Sequence, residues 1–145
     1  MQVINGNLLD IETGLICHQC NCMGKMEAGL AKSIAKKYPA VKADYEVHFA
    51  RGGLRLGTVA YSVANRQNDL WVAHLCGQNS YGREKKLYTD YNALAKCFKM
   101  LHTTVDTRYD IYLPHGIGCG LAGGDWNIVE GLIEEHLPRA IVVSL

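Results

Sequence analysis

Two glycine-rich stretches of this chain have the composition of anion receptors: "NCMGKMEAG", residues 21–29, and "HGIGCGLAGG", residues 115–124. Glycine tolerates positive φ and leaves neighbouring backbone N–H groups uncovered, so such a loop can wrap a phosphate with main-chain donors alone. A reactive side chain flanks each stretch, His18 just before the first and Asp125 just after the second. A histidine there can accept a phosphoryl group as nucleophile or act as general acid or base, and a carboxylate beside an N–H-rich loop can activate water. Each also has a plainer role: His18 as a core histidine satisfied by a backbone carbonyl, and Asp125 as the N-cap of a helix beginning at Trp126.

Other chemistries fit less well. "CHQCNC", residues 17–22, contains C-x-x-C, but alternation along a strand sends Cys17 and Cys20 to opposite faces, and no second ligand pair follows. No metal is expected. Cys119 has no base beside it in sequence to make it a nucleophile. "GIGCGLAGG" follows a late strand and lacks the acidic residue of a dinucleotide site, and "GREKKLYT" lacks the glycine spacing of a Walker loop.

The elements that must position these loops can be read from periodicity. "MQVIN" and "GLICHQC" read as strands, the second apolar enough to lie inside a sheet. "EAGLAKSIAKKY" has helical spacing and is stopped by Pro39, and "AVKADYEVHFA" reads as a second helix. "GTVAYSVA" and "LWVAHLCG" form a strand pair around "NRQND". A helix then runs from Thr89 to about His102, with Thr89 or Asp90 as N-cap, and "DIYLP" is a buried strand. "WNIVEGLIEEHL" is a helix and "AIVVSL" a last strand. The glycine loops fall beyond the carboxyl ends of strands, where open α/β sheets bind ligands. The order predicts one three-layer α/β domain with a mixed sheet.

The 145 residues suit one hydrophobic core, and 15 basic against 14 acidic side chains leave a net charge of +1. No global field recruits nucleic acid or an anionic membrane, so any anion must be bound locally. No stretch approaches the roughly 20 apolar residues of a membrane span, and the N-terminus lacks a signal-peptide pattern. A cytoplasmic protein with six reduced cysteines and no membrane partner is expected.

"NGNLLD" (5–10), "ICHQCNCMGKMEAGLAKSIAKKYPAVKADY" (16–45) and "LPHGIGCGLAGGDW" (113–126) together resemble the macrodomain family. The likeness is to the branch containing ADP-ribose 1″-phosphate phosphatases and related ADP-ribosyl hydrolases, and it covers nearly the whole chain. It implies a three-layer α/β/α macrodomain over residues 1–145, with a central mixed β-sheet. ADP-ribose or a derivative would be the ligand, ADP-ribosylated protein a further partner class, and no cofactor is implied.

By that resemblance Gly6, Asn7 and Leu8 receive the adenine, and Asn21 sits by the distal ribose. Gly24 to Gly29, with Met26 and Ala28 among them, form the loop beside that ribose and the diphosphate. Ile117, Gly118, Cys119, Gly120 and Leu121 wrap the diphosphate. His18, in the "HxCNC" setting of related phosphatases, and Asp125 are the implied catalytic residues. The expected reaction is removal of the 1″-phosphate, with protonated His18 and backbone amides receiving the phosphate charge. Hydrolysis of carboxylate-linked ADP-ribose or of O-acetyl-ADP-ribose is the enzymatic alternative, and a non-catalytic ADP-ribose reader the other. Ala122 stands where some hydrolytic members place an Asp, which argues against the lysine-adduct type of hydrolysis. Tyr81 and Arg83, in "GQNSYGREKKLYTDY", read as a flank near the distal end, with Lys85 and Lys86 as solvated loop charges.

Overall fold

The computed structural model describes residues 1–145. Six strands, β1 (Gln2–Asn5), β2 (Gly14–Asn21), β3 (Val59–Asn65), β4 (Leu70–Gln78), β5 (Ile111–Pro114) and β6 (Ile141–Ser144), form one sheet in the order β1-β6-β5-β2-β4-β3. Only β3 and β4 run antiparallel, joined by the expected polar turn, in which Asp69 takes φ 54°. Every other neighbouring pair is parallel, so the carboxyl ends of β1, β2, β4, β5 and β6 lie along one edge. The expected mixed sheet is therefore present.

Four helices cover the two faces: α1 (Gly29–Lys37), α2 (Pro39–Ala50), α3 (Tyr91–Thr104) and α4 (Trp126–His136). β2 is buried at every position but Gln19, and its alternation feeds two cores. Leu15 and Cys17 pack with Leu94, Phe98, Val129 and Ile133 of α3 and α4. Ile16 and Cys20 pack on the other side with Ile34, Val41 and Tyr45 of α1 and α2. Cys17 and Cys20 thus belong to opposite layers, all six cysteines are free thiols, and no three metal-ligating side chains come together. No helix is long and apolar enough to cross a membrane.

Two helix boundaries have clear chemical causes. Pro39 ends α1 and also starts α2 as its first residue, where a missing N–H costs nothing. Asp90 caps α3, its carboxylate accepting from the Ala93 N–H, while Thr89 is buried and donates its hydroxyl to the Gly118 carbonyl.

Candidate functional site

The two glycine loops face each other across the carboxyl edge of the sheet, and the gap between them is one extended cleft. A hollow of about 420 Å³ at one end is lined by Gly6, Asn7, Leu8, His115 and Val143. It shares Leu30, Pro114 and His115 with a central hollow of about 250 Å³, bounded by His18, Ala28, Gly29, Gly116, Gly118 and Gly120. That in turn shares Gln19, Ala28, Gln78 and Leu121 with a hollow of about 290 Å³ that reaches Asn21, Lys25, Tyr81 and Arg83.

Main-chain donors dominate the middle. α1 starts at Ala28 with no side-chain cap, and the Gly29, Leu30 and Ala31 N–H groups donate to no protein acceptor. The N–H groups of Gly118, Gly120, Leu121 and Ala122 are equally unspent. Unspent N–H groups together with a helix N-terminus suit an anion, because the donors and the helix dipole act in the same sense.

The glycines of the second loop divide into two kinds. At Gly120 an added Cβ would meet nothing within 4 Å, because it would stand in the open cleft; at Gly116 the space is equally open, but a φ of +79° itself favours glycine. Gly118 is required for the fold: its φ is +74°, and a Cβ would lie 2.9 Å from Gln19 Oε1. Gln19 Nε2 donates to Gln78 Oε1 and Thr89 Oγ1, both at 2.9 Å, and Thr89 ties on to the Gly118 carbonyl at 2.6 Å. This strut from β2 holds the loop in place.

The first loop is held by Asn21. Its Oδ1 accepts from the Met23 N–H at 2.9 Å and its Nδ2 donates to the Lys25 carbonyl at 3.0 Å, so this cleft-lining carboxamide is mostly consumed in shaping its own loop. Met26 is buried in the α1–α2 core, and Gly24 packs against the Phe49 ring, so neither lines the cleft as expected. They anchor the loop from behind. Asn7 lines its end of the cleft while its Oδ1 accepts from the Leu9 N–H at 2.9 Å; Leu8 is mainly core.

His18 lies at the floor, 1% exposed, with Nε2 2.6 Å from His74 Nδ1 of the adjacent strand. Burial pushes its imidazole down to about 4, with the Gln19 backbone opposing in part. His18 is therefore neutral at rest at pH 7, and the expectation of a His18 already cationic when phosphate binds is corrected: burial disfavours the charged ring in the free protein. His74 is pushed well below its ordinary value too, by burial and then by the neighbouring histidines.

Asp125 is exposed and caps α4, its Oδ1 accepting from the Asn127 N–H at 2.9 Å, while its own N–H donates to Tyr91 Oη. It lines none of the three hollows. Cys119 also lines none of them; burial raises its thiol, with the nearby Asp125 carboxylate adding to the effect, so it is a poor nucleophile. Ile117 lines the central hollow while its side chain is core, and Leu121 is 53% exposed at the mouth.

The 79–89 segment flanks the far end: Tyr88 and Thr89 donate their N–H groups to the Ala122 carbonyl. Tyr81 and Arg83 line the cleft, whereas Lys86 pairs with Glu84 on the surface. Gln19, Gln78 and His115 are cleft residues that composition and motif did not single out. For Gln19 the signal was present, since its place next to His18 at the carboxyl end of a central strand puts it beside the same loops.

A profile described as Macro domain matches residues 17–133. The chain is 27% identical to the ADP-ribose 1″-phosphate phosphatase of Saccharomyces cerevisiae (strain YJM789), across 91% of this chain and 90% of that protein. Its structure is similar to that of a protein of unknown function from Bacteroides thetaiotaomicron, with TM-score 0.84, 30% identity, and 99% of this chain and 97% of that one covered. It is also similar to a macrodomain protein from Streptomyces coelicolor, with TM-score 0.78 and 23% identity over 99% of this chain and 97% of that one.

Proposed function

Because this chain belongs to the Macro domain family, we propose that its cleft binds ADP-ribose and that it is a hydrolase removing the phosphate from ADP-ribose 1″-phosphate. The observation that carries the reading is the set of unspent N–H groups, on α1 and on the second loop, converging on one cleft that has a neutral histidine at its floor. A net charge of +1 supplies no general attraction for a diphosphate, so local donors are what is needed. In this reading the hollow at Gly6, Asn7 and Leu8 receives adenine. Gly29 and the 118–121 loop take the diphosphate, and the distal ribose reaches toward Asn21, Tyr81 and Arg83. The yeast relative's activity supports the choice of leaving group.

His18 is the reactive side chain in this assignment. Neutral at pH 7, it acts as a general base on water. Asp125 is assigned to the helix cap rather than to catalysis, because its carboxylate is engaged there and faces none of the cleft's hollows.

The test is to incubate the purified protein with ADP-ribose 1″-phosphate, O-acetyl-ADP-ribose and glutamate-ADP-ribosylated protein, measuring phosphate, acetate and free ADP-ribose. Phosphate release that His18→Ala abolishes is the expected result. Acetate or ADP-ribose release alone would move the reaction to ester hydrolysis. Retained ADP-ribose binding with no product from any substrate would make the protein a reader.

A further inference from the structure

A chain of four side chains runs from the cleft floor to the outer surface of α2. His18 Nε2 is 2.6 Å from His74 Nδ1, His74 Nε2 is 2.8 Å from Ser62 Oγ, and Ser62 Oγ donates to Asp44 Oδ2 at 2.6 Å. His48 Nε2, one turn along α2, lies 3.3 Å from the same carboxylate oxygen. His18 and His74 are opposite each other in the β2–β4 register, which stacks them edge to face with ring centroids 4.9 Å apart.

The direction of every bond follows from the carboxylate. Ionised Asp44 can only accept, so the Ser62 hydroxyl proton goes to it, and Ser62 Oγ must accept from His74 Nε2–H. A neutral His74 then has a bare Nδ1, which must accept from His18 Nε2–H. That leaves His18 Nδ1 unprotonated, and this nitrogen is buried without a partner. His18 lines the central hollow, so a small donor entering the cleft is the available partner for this buried acceptor. A phosphate dianion has no hydrogen to give, whereas water has.

We propose that Asp44, Ser62 and His74 are positioning residues that fix the His18 tautomer, keeping its Nδ1 bare as the acceptor for the attacking water. The proposal deepens the hydrolase reading and rests on it. Nδ1 takes a proton from water as the water oxygen bonds to phosphorus, and the bond from phosphorus to the 1″-oxygen breaks. The departing 1″-oxygen, on the opposite side of phosphorus, takes its proton from cleft water, and Nδ1 returns its own proton to solvent, giving ADP-ribose and inorganic phosphate with His18 neutral again. Between the two transfers, the Asp44 carboxylate at the far end of the chain stabilises the positive charge that His18 carries.

Long-range 1H–15N spectra of the imidazole nitrogens in the ligand-free protein at pH 7 test this without turnover. The expected pattern is a protonated Nε2 and a bare Nδ1 on both His18 and His74; a proton on His18 Nδ1 would overturn the proposal. Ser62→Ala removes the acceptor that orients His74. It should give mixed tautomers on both rings and lower kcat about tenfold or more with KM within about twofold, inside the ~10²–10⁴ that acid–base catalysis supplies. An unchanged His18 tautomer in that variant sinks the relay. Should Ser62→Ala not fold, Asp44→Ala, at a side chain 47% exposed, makes the same test. Absence of phosphatase activity with the expected wild-type tautomers would refute the reaction, while the wrong tautomers would refute the relay.

Discussion

The helices α1 and α4 both begin at the carboxyl edge of the sheet, each after a glycine loop, and they begin in opposite ways. α4 is closed by Asp125, whose carboxylate takes a first-turn N–H, whereas α1 starts at Ala28 and leaves its first N–H groups open toward the cleft. An N-cap contributes about 1 kcal/mol of stability, and α1 goes without it. The end of a helix that lacks the usual side chain is the end that can serve a ligand, and the capped end, despite its carboxylate, is part of the scaffold.

Transplanting the cap is the most disruptive way to break this contrast. Ala28 has φ −145° and ψ 157°, an extended geometry that an N-cap aspartate adopts without strain. Ala28→Asp should therefore raise stability by about 1 kcal/mol. The same change should weaken ADP-ribose binding about 100-fold, or roughly 2.7 kcal/mol, because a carboxylate then occupies the donors and repels the diphosphate. Calorimetry and thermal melting on one preparation read both signs.

Acidification sharpens the contrast between the buried floor and the exposed cap. His18 falls from an ordinary 6.5 to about 4 on folding. The unfolded chain thus binds more protons in that window, and the stabilisation, complete above pH 6.5, drains away as pH falls toward 4. Urea titrations should show about 2 kcal/mol more loss between pH 7 and pH 5 in the wild type than in His18→Gln. Equal losses would mean that His18 is not buried as a neutral ring.

Gly120 separates fold from binding within the second loop. A methyl there touches nothing in the protein, so Gly120→Ala should leave stability within about 0.5 kcal/mol yet weaken ADP-ribose binding about tenfold by standing where the diphosphate approaches. The smallest effect belongs to the other helix. Asp125→Ala should cost about 1 kcal/mol of stability, with turnover of ADP-ribose 1″-phosphate within about threefold. A loss of turnover beyond a hundredfold would return Asp125 to the chemistry.

The strands, helices and both loops were legible because periods of two and 3.6 residues and clustered glycines are local signals. Cys17 and Cys20 fell to opposite faces for the same reason. What escaped depends on pairing between distant segments. Alternation says which face His18 takes, but only the β2–β4 register brings His74 against it, and only the β3–β4 hairpin adds Ser62. Met26 and Gly24 look like ligand residues by position, yet the tertiary packing of α2 claims both. Thr89 could have capped α3, but its Oγ1 accepts from Gln19 Nε2 and its proton goes to the Gly118 carbonyl.

A titration with ADP-ribose, followed at each backbone amide by 1H–15N correlation, reads out which N–H groups take the ligand. The largest shifts are expected at Gly29, Leu30, Ala31, Gly118, Gly120, Leu121 and Ala122, with the Asn127 and Ile128 amides at the capped start of α4 nearly unmoved. Shifts confined to α4, or none at the two loops at saturating ligand, would contradict this assignment.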